Sequence, residues 1–341
     1  MWIRLNPSSG LPVYLQLTAQ VKHDLETGKL RSGETLPRVS ELAAELVVNP
    51  NAVERAYRQL EREGVVDLQV DGGGVRARTR PLTPPKPRPD HRSALARELD
   101  DARDVQRRLL PQDCPPMPGV EYAGFCRPAL AVGGDYYDFI RLSDTRLAIA
   151  IADVCGKGIP AALLMATLRA FLRGQTLHNV ACPAEVVRTL NQLVCGSFSS
   201  NRFATFFFGS YDSSTRTLRY VNAGHPPPLV CGQRDGRRQL VQLQEGGPVV
   251  GLSPDAAFDE GHVQLEAGDL LVAYTDGISE AWNEAGDEWG DEAVQQLVRG
   301  CRELSPADVV TRITRGADMF AAGASQHDDM TVVAVRVAVS S

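Results

Sequence analysis

The sequence predicts an α+β chain of two domains: a small one of three helices and a β-hairpin, then a larger one of mixed sheets covered by helices. Three observations predict it. The 341 residues exceed what one small core organises. The stretch from Arg80 to Arg92, RPLTPPKPRPDHR, has prolines at 81, 84, 85, 87 and 89 that deny helix and ladder bonding and mark a spacer. Beyond it, short apolar runs alternate with long helical patterns, as in sheets covered by helices.

Taken in order, Leu15, Val21 and Leu25 fit a first helix ended at Gly28, and Val39–Leu46 fits a second. Asn49 offers an N-cap and Pro50 a first helical residue for a third helix that runs to Glu63 and stops at Gly64. Val65–Val70 and Val75–Ala77 then flank Asp71-Gly72-Gly73-Gly74, a turn able to supply positive φ. Three helices and a hairpin make a winged helix-turn-helix over residues 1–80. Residues 81–92 form the proline-rich linker and 93–112 a connecting helix. In that helix Leu95, Leu99, Ala102, Gln106 and Leu109 alternate spacings of four and three. Such a seam suits either packing on its own domain or pairing in a homodimer, and polar Gln106 would fix the register of a paired seam. The larger domain spans 113–341, with helices expected near Ile159–Leu177, Ala184–Val194, Glu292–Val298 and Pro306–Phe320.

Composition narrows the function. A net charge of −6 speaks against a chain that coats nucleic acid or anionic lipid. Seven cysteines, odd in number and without a C-x-x-C, suggest reduced thiols rather than disulfides or a thiolate zinc site. Neither a signal sequence nor an apolar run of membrane-spanning length is evident, so a cytoplasmic protein with no membrane partner is expected.

The chemistry concentrates in aspartates at strand ends. Asp153 ends Leu147–Ala152, Asp276 ends Leu270–Thr275, Asp328 precedes Met330–Val335, and Asp135 follows Gly133-Gly134. Singly each is an ordinary turn residue. Together they form an oxygen-rich set suited to magnesium or manganese rather than to zinc. Gly156 and Gly277 permit the sharp reversals that let a carboxylate and a backbone carbonyl face one ion.

The strings Val132-Gly-Gly-Asp-Tyr-Tyr-Asp-Phe139, Asp153-Val-Cys-Gly-Lys-Gly-Ile-Pro-Ala-Ala162, Asn222-Ala-Gly-His-Pro-Pro-Pro-Leu229, Tyr274-Thr-Asp-Gly-Ile-Ser-Glu-Ala281 and Asp328-Asp-Met-Thr-Val-Val333 resemble, in order and spacing, the motifs of the SpoIIE/RsbU branch of PPM phosphatases. The resemblance covers residues 95–338. It implies an α-β-β-α sandwich, a metal-dependent serine/threonine phosphoprotein phosphatase, and two manganese or magnesium ions at one end of the paired sheets. By the same resemblance Asp153 bridges both ions, Asp276 and Asp328 complete one site, and Asp135 with the Val154 carbonyl holds the other. Asp329 is the runner-up to Asp328. A metal-activated water would attack phosphorus in line, without a covalent phosphoenzyme. The implied substrate is a phosphoserine or phosphothreonine on a STAS-domain anti-sigma-factor antagonist. Cys155 stands where the branch usually has Ser, and reads as a small turn side chain or a redox group. Asn222 and His225 read as loop-shaping or functional, and Lys157 as a phosphate contact or a solvated cation.

Before the spacer, Leu11-Pro-Val-Tyr-Leu-Gln-Leu17, Gly28–Pro37, Glu41-Leu-Ala43 and Asn49-Pro-Asn-Ala-Val-Glu-Arg-Ala-Tyr57 are similar to a GntR-type DNA-binding domain. Arg38, Asn49, Asn51, Arg55 and Arg76 are the candidate DNA contacts. The electrostatic footprint is thin: residues 1–80 hold eleven Lys or Arg against ten Asp or Glu, and Glu54 lies within the recognition helix. Two readings of the whole protein follow. One is a signalling phosphatase regulated through its N-terminal domain. The other is a GntR-type transcriptional regulator with an appended phosphatase domain.

Overall fold

The structure, a computed structural model, describes residues 3, 5, 11–71, 74–79, 91–114, 116–176, 182–197, 202–234 and 237–339. The spacer prolines and the turn residues Gly72 and Gly73 lie outside the described residues, as does Leu177. The chain divides into two units, Met1–Ser93 and Ala94–Ser341.

In the first unit, α1 (Val13–Glu26), α2 (Val39–Leu46) and α3 (Pro50–Arg62) precede the antiparallel hairpin of β1 (Val66–Asp71) and β2 (Gly74–Thr79). The Asn49 side chain accepts a hydrogen bond from the Asn51 N–H at 2.9 Å, and Pro50 occupies a position that needs no donor. The buried stripe of α1 is Leu17, Val21 and Leu25, spaced by four, whereas Leu15 is off that stripe and 37% exposed. Val53, Ala56, Tyr57 and Leu60 of α3 close the core, and the Tyr57 hydroxyl donates to the Pro37 carbonyl at 2.8 Å.

The turn from α2 to α3 passes through Val47 at φ 55° and ψ 49°, with the side chain 89% exposed. A β-branched residue is strained in this left-handed region, and no burial offsets the cost. Val47→Gly is therefore expected to stabilise this unit by about 1 kcal/mol, net of the extra unfolded-state freedom of glycine. Slower amide exchange across α2 and α3 in the full-length variant is the measurement; unchanged or faster exchange would refute the strain argument.

The second unit contains α4 (His91–Leu109), which begins just before its boundary, then β3 (Val120–Arg127), β4 (Tyr136–Arg141), β5 (Arg146–Val154), α5 (Ile159–Thr176) and α6 (Pro183–Ser197). There follow β6 (Ala204–Asp212), β7 (Thr217–Ala223), β8 (Leu229–Arg234), β9 (Arg237–Gln242), β10 (Gly246–Gly247), β11 (Gly261–Gln264) and β12 (Leu270–Tyr274). The unit ends with α7 (Asp276–Ser279), α8 (Asp291–Arg299), α9 (Pro306–Ala321) and β13 (Met330–Val337). One sheet has the order β10-β7-β6-β5-β4, with β11 also on β7; the other has β3-β13-β12-β8-β9.

Strand parity shows how the sequence builds this sandwich. In β5, Ala148, Ala150, Ala152 and Val154 face α5 and α6, while Leu147, Ile149 and Ile151 fill the space between the sheets. Small residues let helices approach, and large ones fill the inter-sheet layer. In β13, Val332 and Ala334 face α8 and α9, and Val333, Val335 and Val337 face the other sheet. Both strands are buried on both sides, hence their unbroken apolar runs. The result is the expected α-β-β-α sandwich. A bidentate ion pair, Arg173 of α5 with fully buried Asp138 of β4 at 2.7 Å on both oxygens, fastens one helical layer to its sheet.

The α4 seam proves to be divided. Leu95 is 55% exposed, but Leu109 packs beside the α5–α6 core and Gln106 is buried. Gln106 makes two bonds to one residue: its amide donates to the Gly133 carbonyl at 2.7 Å and its oxygen accepts from the Gly133 N–H at 3.0 Å. The sequence suggested a polar register key for a paired seam. In the structure Gln106 satisfies the backbone of its own domain, which a buried unpaired peptide group would otherwise require of water. Among the described residues, no helix is long and apolar enough to cross a membrane.

Candidate metal centre

The inter-sheet side of β5 continues from Ile149 and Ile151 to Asp153, and that of β12 from Leu271 and Ala273 to Thr275. Thr331 shares its face of β13 with Val333 and Val335. The register pairs Tyr136 with Ala152 and Tyr274 with Val332, so the starts of β4 and β13 lie beside the ends of β5 and β12. Polar residues thus replace apolar ones between the sheets at one end of the sandwich.

Asp135 is 3% exposed, and one oxygen, Oδ2, accepts from the hydroxyls of Thr275 at 2.8 Å and Thr331 at 2.6 Å. Burial and then the charge of Asp153 push its carboxyl well above the usual range. Asp153 is pushed up to about 7 by burial and by the charges of Asp276, Asp328 and Asp329, against which Lys157 acts only in part. Asp276 is raised by burial and by Asp328. These five aspartates therefore share one electrostatic neighbourhood.

Asp328 and Asp329, adjacent in sequence, are used differently. Asp329 is 4% exposed; its Oδ1 accepts from the Ala129 N–H at 2.7 Å and its Oδ2 from the Gly134 N–H at 2.6 Å, with the Asp135 N–H at 3.4 Å. It braces the loop that presents Asp135. The brace needs Gly133, where a Cβ would lie 2.1 Å from Asp329 Oδ2. Asp328 instead leaves its side chain 37% exposed, with Oδ2 paired to Lys157 at 2.9 Å. Lys157 also donates to the His327 carbonyl at 2.5 Å. Gly134 clears the Val154 carbonyl, since a Cβ there would stand 2.7 Å from that oxygen.

The other motif residues act in loops. Cys155 accepts from the Phe203 N–H at 3.2 Å, as a turn side chain would. Asn222 donates to the carbonyls of His225 and Leu243 and accepts from the His225 N–H. His225 is 3% exposed, shares a 2.8 Å hydrogen bond with Thr205, and is held down to about 3 by burial. Both therefore shape the loop. Thr275, Thr331 and the bracing role of Asp329 escaped the sequence reading, although strand parity places both threonines on the inter-sheet face.

Among the described residues, no three Asp, Glu, His or Cys side chains close round one point. In kind, however, the set is all hard oxygen donors, mutually repelling and faced by Lys157, which is already paired with Asp328. That fits an oxygen-seeking divalent cation such as magnesium or manganese.

In the first unit, Asn49 is engaged as a helix cap, and the Arg55 guanidinium lies 4.0 Å over the Tyr14 ring. Asn51 is exposed and Arg38 half-buried at the start of α2. The Arg76 side chain lies outside the described residues. Glu54 is paired with Arg58 at 2.6 Å on the same helix, so its charge is partly answered within the domain.

Residues 143–338 match the family model for Stage II sporulation protein E (SpoIIE), and residues 13–76 match that for bacterial regulatory proteins of the gntR family. Phosphoserine phosphatase RsbU of Bacillus subtilis is 30% identical over 239 residues, 70% of this chain and 70% of RsbU. Protein IcfG of Synechocystis is 29% identical over 264 residues, but this match covers only 41% of IcfG. The transcriptional repressor YtrA of Bacillus subtilis is 42% identical over 65 residues, 19% of this chain and half of YtrA. Among solved structures, the SiaA-PP2C domain of Pseudomonas aeruginosa superposes with a TM-score of 0.64 at 21% identity, over 72% of this chain and 98% of that one. A structure of RsbX in complex with magnesium gives 0.50 at 15% identity, over 64% and 98%. The chain belongs to the SpoIIE family, with that family's PP2C-type phosphatase fold following a GntR-family helix-turn-helix domain.

Proposed function

We propose that this chain is a metal-dependent serine/threonine phosphoprotein phosphatase of the cytoplasm. Its parts would be a winged helix over residues 1–80, a linker over 81–92, a connecting helix over 93–112 and the phosphatase domain over 113–341. The observation that carries the activity is the meeting of Asp135 and Asp153 from one sheet with Asp276 and Asp328 from the other in one field of mutual repulsion. Asp153 would hold both of two manganese or magnesium ions, Asp276 and Asp328 one of them, and Asp135 with the Val154 carbonyl the other. When bound, the ions supply Lewis acidity toward a phosphoryl oxygen and lower the pKa of a coordinated water. The chain's own part is to hold these carboxylates in position and to keep Gly134 out of the way of the Val154 carbonyl. The substrate would be a phosphoserine or phosphothreonine protein, by the family resemblance of the motifs a STAS-domain anti-sigma-factor antagonist, and the protein would act as a homodimer. Phosphate release from a phosphoserine protein should stop on chelation and return with manganese; release that persists in chelator would overturn this reading.

A second reading, a GntR-type regulator carrying the phosphatase, is supported by the capped helix-turn-helix and the match over residues 13–76. Its face is electrostatically poor, because Glu54 occupies Arg58. DNA binding by the full chain is expected to be weak at physiological salt, with Glu54→Gln tightening it about threefold by releasing one exposed ion pair. Sub-nanomolar specific binding of the wild-type chain in an electrophoretic shift would favour the regulator.

A further inference from the structure

Thr275 and Thr331 are both fully buried, and both direct hydroxyls at the same oxygen of Asp135. The direction of the Thr275 hydrogen is constrained. Its oxygen accepts from the Thr331 N–H at 3.0 Å, and of its two possible acceptors Asp135 Oδ2 lies at 2.8 Å and the Asp329 carbonyl at 3.4 Å. Asp135 leads into β4 of one sheet, whereas Thr275 follows β12 and Thr331 lies in β13 of the other. The three side chains therefore stitch the two sheets together where the carboxylates gather. Oδ2 is consumed by this stitch, and among the described residues no hydrogen bond engages Oδ1.

We propose that Thr275 and Thr331 are positioning residues for the metal centre: together they pin Oδ2 of Asp135 and leave Oδ1 as its ligating oxygen. The inference rests on the reading of Asp135 as a metal ligand. A carboxylate held by one oxygen cannot rotate to chelate through both, so the ion it holds is set by the gap between the sheets. Groups that orient a ligand in this way commonly govern metal affinity by 10–100-fold.

The test uses full-length protein and manganese alone, followed by calorimetry and by the resonance signal of free Mn²⁺. Thr275→Val and Thr331→Val keep the shape of the side chain and remove the donor, and Thr275→Val also takes from the buried Thr331 N–H its acceptor, so Thr331→Val is the cleaner variant. Each is expected to weaken one class of manganese site by about 10–100-fold. Thr275→Ser and Thr331→Ser, which keep the donor, should bind within about threefold of wild type. A purely structural role would lower the melting temperature of the chelated valine variants and leave manganese affinity unchanged. That result, with Asp135→Asn still impaired in binding, overturns the positioning role while sparing the site. Wild-type manganese binding by Asp135→Asn would instead remove Asp135 as a ligand, and the inference with it. Thr331→Val, which takes no acceptor from a backbone N–H among the described residues, decides the question, and Thr275→Val decides it where Thr331→Val is insoluble.

Discussion

Asp153→Asn is expected to cost at least about three orders of magnitude in manganese-dependent phosphatase turnover, because the carboxylate proposed to hold both ions would lose its charge. Asn keeps the shape, so the loss would not be one of packing. A second signature separates this from unfolding. With no metal bound, burial and the charges of Asp276, Asp328 and Asp329 raise the Asp153 carboxyl to about 7 from 3.8. An acid whose folded pKa is raised leaves the folded state unpenalised below the unfolded value, and the penalty grows as pH rises toward the folded one. Chelated Asp153→Asn should therefore match wild type in stability near pH 4 and exceed it above pH 7. A gain of about 2 kcal/mol is expected, discounted from the full shift because the neighbouring carboxylates also titrate. A less active but more stable variant is the expected pair of results, read by phosphate release and by melting in chelator. An Asp153→Asn enzyme with wild-type turnover at saturating manganese would show the site to be wrongly placed.

What was legible in the sequence follows from local rules. Asn49-Pro50 announces α3 because the cap and the missing donor act within one turn, and the structure begins that helix at Pro50. The run Leu147–Ala152 reads as a strand buried on both sides, and its alternation of alanine with leucine or isoleucine separates the helix-facing from the sheet-facing layer. The strand-end aspartates were legible for the same reason. Gln106 was not, because its partner is the backbone of Gly133, 27 residues away on a loop without periodicity. Nor was the division between Asp328 and Asp329, since two adjacent carboxylates look alike until the loop over residues 129–135 is seen folding onto only one of them. Leu15 lies in the helix that the sequence predicts, but which apolar stripe is buried was not legible, because a helix only four turns long offers several and tertiary packing selects one.

That division yields the last expected result. Asp329→Ala would orphan the buried N–H of Gly134 and the part-buried N–H of Ala129, and each unmade bond to a carboxylate costs about 1–3 kcal/mol. A loss of about 3 kcal/mol in stability is expected, together with loss of activity as the Asp135 loop slackens. Asp328→Ala removes a half-exposed pair with Lys157 and the bond that its Oδ1 accepts from the Asp329 N–H at 2.9 Å, so stability should fall by about 1 kcal/mol. Its turnover should nevertheless fall by about a hundredfold or more, through the weakened metal site. Urea midpoints and manganese titrations on the two variants compare the roles directly. Full activity in Asp328→Ala, beside a stable Asp329→Ala that no longer binds manganese, would transfer the ligand from the first residue to the second. It would also mean that the loop bonds of Asp329 yield when an ion is present, and the bracing role assigned here would have to be abandoned with the ligand assignment.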